Sequence, residues 1–145
     1  MTGFFESFGN INSLINYETE LYDWCFRNTF QNCTGLVTAP NLPSETIAPY
    51  CYDHMFLNCT SLVTAPNLPA EDLASSCYDH MFEGCSSLID APPVLPADVL
   101  APNCYDHMFL NCISLIYPPV LNATELAPSC CYGMFEGCSS LTTTI

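Results

Sequence analysis

The stretch Cys51-Tyr52-Asp53-His54-Met55-Phe56 decides how this chain is organised, because it recurs unchanged at 77–82 and at 104–109. Degenerate copies begin at Cys25 (Cys-Phe-Arg-Asn-Thr-Phe) and at Cys130 (Cys-Cys-Tyr-Gly-Met-Phe), so successive starts are 26, 26, 27 and 26 residues apart. The extra residue is one of the pair Pro92-Pro93. A second cysteine follows each first one by eight positions, at Cys33, Cys59, Cys85, Cys112 and Cys138. Ser-Leu follows in most copies, then a short apolar run, Ala-Pro or Pro-Pro, and a segment of Leu-Pro-Ala type. Chance does not give five copies in register; a fixed period of this length is the mark of a repeat architecture.

Each unit has a local physical reading. On a helical wheel started at Cys51, Met55, Tyr52 and Phe56 fall at about 40°, 100° and 140°, with Asp53 and His54 opposite. The spacing therefore predicts one short helix per repeat with a clean apolar face. Ser75 or Ser76, Asn103 and Ser129 stand where an N-cap oxygen is wanted. Asn32, Asn58, Gly84, Asn111 and Gly137 stand two residues after each phenylalanine, and Asn and Gly are the types that tolerate a left-handed backbone. Leu62-Val63-Thr64-Ala65 reads as a strand stopped by Pro66, which cannot donate to a ladder.

Neither piece can bury a core alone, but stacked repeats can. Leu36/Leu62/Leu88/Leu115/Leu141 and Phe30/Phe56/Phe82/Phe109/Phe135 then become interior columns. The expected fold class is a right-handed α/β solenoid of leucine-rich-repeat type. Residues 1–24 form its N-terminal cap, and 25–145 hold about five repeats, the last incomplete.

Charge narrows the partners. The chain has 145 residues, half of them hydrophobic, no lysine, Arg27 as its one strong base, and a net charge of −14. Nucleic-acid affinity rests on Lys and Arg displacing counterions, so a nucleic-acid partner is excluded, and an anionic membrane surface with it. No run approaches the ~20 apolar residues of a membrane span. The first residues lack a basic segment before Glu6, so no signal peptide is expected.

Several constellations invite chemistry. Eleven cysteines suggest disulfides, but the count is odd, and an eight-residue spacing does not suit zinc, which uses closer pairs. Small thiols buried beside the core are the favoured reading. The pairs Asp53-His54, Asp79-His80 and Asp106-His107 would stack three imidazoles, a grouping that can hold a metal. On the polar side of a helix they read instead as a solvated face. The acidic residues Glu45, Glu71, Asp72, Asp98 and Glu125 lack the spaced ligand set of a calcium loop. No catalytic residue, cofactor or metal is expected. A partner site is read from Leu110, Ile113 and Tyr117, which are apolar where other copies are mostly polar.

At Met55-Phe56-Leu57-Asn58-Cys59-Thr60-Ser61-Leu62 and its copies, the chain resembles the BspA-like leucine-rich repeats of bacterial surface proteins, whose unit carries Ala-Phe-x-x-Cys-x-x-Leu. The variant with Leu-Pro-Ala and Cys-Tyr looks like that of gut Bacteroides and their phages. The resemblance covers roughly residues 25–145 and implies adhesion or protein binding without shared catalytic residues. The expected function is thus a non-enzymatic module on an extracellular surface, with a protein or surface glycan as partner. A virion component, such as a head decoration or fibre domain, is the alternative, and a metal-dependent hydrolase built on the Asp-His pairs a remote one. The sequence stops inside the fifth strand without a charged cover, so Thr142, Thr143 and Thr144 are expected to offer an edge for pairing and assembly.

Overall fold

Backbone hydrogen bonds in the repeats follow a strict alternation. The amides of Cys51, Asp53, Met55, Leu57 and Cys59 each donate to the carbonyl three residues back, closing consecutive turns. Those of Tyr50, Tyr52, His54, Phe56 and Asn58 instead donate to Ser75, Cys77, Asp79, Met81 and Glu83 in the next repeat. The same two sets recur from 24–33 through 103–112, so each copy lies as a rung on the next. These observations come from a computed structural model that describes residues 3–15 and 21–142.

The ribbon of turns replaces the expected helix. Among the described residues the one helical element is a 3-10 helix at Ile11–Ile15. Every fourth residue of the ribbon has positive φ: Tyr50 (56°), His54 (54°) and Asn58 (58°) in one copy, Ser76, His80 and Gly84 in the next. A right-handed helix cannot hold such residues. Ser76, Asn103 and Ser129 are accordingly left-handed turn residues, at 54°, 56° and 54°, and not N-caps. The Asn and Gly positions do carry the left-handed backbone, from 58° to 75°.

Beyond the ribbon the chain forms little regular sheet. Strand β1 (Phe5–Glu6) pairs in parallel with β2 (Leu36–Thr38), and β3 (Val94–Leu95) with β4 (Val120–Leu121). Elsewhere single parallel bridges join the rungs, as in the column Thr38, Thr64, Asp90, Tyr117. The segment 62–65, expected as a strand, contributes only its bridge at Thr64. The nearby proline, lacking an amide hydrogen, prevents a longer ladder. Residues 5–11 lie against the first repeat, with Ser7 and Ile11 donating to the carbonyls of Thr38 and Asn41.

The core is a set of columns. Leu36, Leu62, Leu88 and Leu115 are fully buried. The rings of Phe30, Phe56, Phe82, Phe109 and Phe135 stack at 5.4–5.6 Å between centroids. Phe26, Tyr52, Tyr78 and Tyr105 form a second stack. All eleven cysteines are free thiols. Those of the second column tie each rung to the one before it. Cys59, Cys85, Cys112 and Cys138 donate S–H to the carbonyls of Phe30, Phe56, Phe82 and Phe109 at 3.0–3.1 Å. A disulfide would forfeit those bonds.

Candidate functional site

The turn ribbon gathers the Asp-His pairs into a two-column ladder. His54, His80 and His107 occupy the left-handed position of three successive rungs, where histidine is among the few side chains enriched. Their rings stack at 4.8 and 4.9 Å, nearly parallel. Each Nδ1 meets Oδ1 of the preceding aspartate, Asp53, Asp79 or Asp106. The turn folds each aspartate back onto Nδ1 of the histidine that follows it. The opposite edges face carboxylates: His80 Nε2 is 3.9 Å from Glu83 Oε2, and His107 Nε2 is 3.8 Å from Glu136 Oε2.

The face is half-buried, not fully solvated as expected. Asp53 is 3% exposed, and Arg27 of the first repeat reaches its Oδ2 with Nε at 2.6 Å while lying over the Trp24 ring. The chain's single strong base thereby pairs with the most buried carboxylate among the described residues. At the other end Gly133 takes the histidine position, where a Cβ would come within 2.6 Å of the His107 ring, and Tyr132 packs edge-on against that ring. The hydrogen bond that His54 donates to Asp53 raises the His54 pKa against the opposing effect of partial burial. Burial raises that of Asp79, against its bond to His80.

The other expected sites are dispersed. Leu110 is half-buried in the ribbon and its carbonyl accepts from the Gly84 amide; Ile113 (51% exposed) and Tyr117 (61%) project from the link and the bridge column. Of the edge residues, Thr142 bonds the Ile116 carbonyl through Oγ1 at 3.2 Å, while Thr143 and Thr144 lie outside the described residues. Glu71, Asp72 and Asp98 line an open groove of about 480 Å³.

The comparisons with known proteins are silent: no family model matches the chain, and neither a curated protein nor a solved structure proves similar to it. No helix among the described residues is long and apolar enough to cross a membrane.

The residue-by-residue reading missed an apolar face outside the core. Val94 and Val120 are register partners in β3 and β4 and share one face of the pair, 38% and 62% exposed. Val94 also lines a groove of about 250 Å³ with Leu68, Pro69, Pro93 and Pro96. The signal was available in Pro-Pro-Val-Leu at 92–95 and 118–121, where the alternation of polar residues lapses in two copies.

Proposed function

We propose that the chain is a tandem-repeat solenoid of leucine-rich-repeat type, related to the BspA-like repeats, and that it acts as a non-catalytic protein-binding or adhesion module on an exposed surface. The observation that carries this reading is the exposed Val94 and Val120 face. Contiguous large apolar side chains left in water gain free energy when a partner covers them. Flanking prolines hold the face rigid, which lowers the ordering cost of binding.

The state of the thiols supports a non-catalytic role. Burial pushes Cys51, Cys59 and Cys104 up to about 12, so they are protonated and poorly nucleophilic near neutral pH. The net charge of −14 favours a partner surface that is neutral or basic.

The test immobilises the chain and measures saturable binding of extracellular-matrix proteins and mucin-type glycans, beside a Val94→Asp/Val120→Asp variant. Both positions are partly exposed, so the variant should keep its melting temperature. The expected result is saturable binding of at least one component, weakened about tenfold or more in the variant. Absence of binding across the panel, or equal binding by the two proteins, would refute the assignment.

A further inference from the structure

His54, His80 and Glu83 each bring one ligand atom into a cluster whose members all lie within 4.8 Å of one another. None of the three is fully buried, so an ion can reach them from solvent. With Nδ1–H donated to the aspartate, the neutral imidazole carries its lone pair on Nε2. For His80 that lone pair faces a carboxylate oxygen at 3.9 Å, too far for a hydrogen bond. Two acceptors aimed at one another repel, and a cation between them reverses the sign.

We propose that His54, His80 and Glu83 form a binding site for a divalent transition-metal ion of the zinc, cobalt and nickel class, with Asp53 and Asp79 as the outer partners that fix the imidazole tautomers. Imidazole and carboxylate donors suit such ions, and ligating histidines ordinarily give their second nitrogen to a carboxylate or carbonyl. Bonds of about 2.0–2.2 Å require the three donor atoms to draw closer. Glu83 can swing and the rings can tilt, since their side chains are about a quarter exposed.

The ladder contains its own control. His107 faces Glu136, whose side chain is 68% exposed, and Gly133 stands where the next imidazole would be. The columns also supply variants the fold already accepts: Asn28 occupies the histidine position with φ 57°, and Gln31 the glutamate position, in the first repeat. The ion would occupy this ladder whatever macromolecule the apolar face binds, so the two readings fail separately.

The experiment titrates Co²⁺ into the reduced full chain and follows the visible spectrum, which separates nitrogen and oxygen ligands from thiolates. One equivalent should bind without a thiolate-to-cobalt charge-transfer band. His80→Asn or Glu83→Gln should abolish the cobalt bands at equimolar metal, and Asp79→Asn should weaken binding about 10–100-fold. His107→Asn should leave it unchanged. No binding, a spectrum dominated by the thiolate band, insensitivity to His80→Asn and Glu83→Gln, or equal loss in His107→Asn would each overturn the proposal.

Discussion

At the residue scale, one backbone angle explains why the ladder position holds Asn28, His54, His80, His107 and Gly133 and nothing else. The φ values run from 47° to 57°, a region closed to β-branched residues and open to Asn, His and Gly. Histidine therefore serves the fold before it serves any chemistry, and His80→Asn should cost under about 0.5 kcal/mol. Phe82, in the middle of a five-ring stack and fully buried, is the opposite case. Phe82→Ala should cost about 3–5 kcal/mol, because the rings above and below cannot collapse into the void. Denaturant unfolding of the two variants checks both; comparable losses would contradict the described packing.

At the scale of the element, the sequence carried the burial pattern and concealed the conformation. Cys51, Tyr52, Met55 and Phe56 are all buried, as the wheel requires. Over six residues, however, paired apolar positions four apart fit a turn ribbon of period four as well as a helix of period 3.6. The discriminating signal was at the other positions: Ser76, His80 and Gly84, or Asn103, His107 and Asn111, place poor helix formers at every fourth residue. The ladder of carboxylates and imidazoles was legible as a stack of residue types, but the fold of each aspartate onto its own histidine depends on that ribbon geometry. The face at Val94 and Val120 was less legible still, since exposure of an apolar strand is set by what packs over it.

The ribbon also makes a sharp distinction between substitutions at Gly84, where φ is 71° and a Cβ would approach Asn58 Oδ1. Asn32 and Asn58 already stack in this column, linked Nδ2 to Oδ1 at 3.2 Å. Gly84→Asn should therefore be close to neutral, extending the amide row, whereas Gly84→Val should cost about 1–2 kcal/mol from the left-handed backbone. Calorimetric melting of both variants decides the point, and a tolerated valine would mean the turn is not held as described.

For the molecule as a whole, charge and pH act together. The His54 pKa is raised in the folded state by Asp53, with Asp79 and Glu83 adding to it. Its stabilising contribution is thus complete below about pH 6.5 and is lost as pH rises through the folded value. Burial raises the Asp79 pKa, so ionising that group costs stability, and this penalty too shrinks on acidification. A net charge of −14 adds self-repulsion that weakens toward the sequence pI of about 4.1. The melting temperature should rise between about pH 8 and about pH 5.5, and His54→Asn should flatten the rise. A melting temperature that falls over this range would show that the histidine is not held by its aspartate.

The alternating hydrogen bonds of the ribbon give the stack a sense of direction. Within the ribbon, the backbone of each rung meets its predecessor through carbonyls, those of Pro49, Cys51, Asp53, Met55 and Leu57, and its successor through amides, those of Tyr50, Tyr52, His54, Phe56 and Asn58. The two sides are chemical opposites, like the plug and socket of a cable. A two-fold contact between like sides would set donors against donors or acceptors against acceptors, which excludes that isologous arrangement for the ribbon. Growth by translation satisfies these ribbon groups, so a rung that continues the ribbon must join with the chain running the same way.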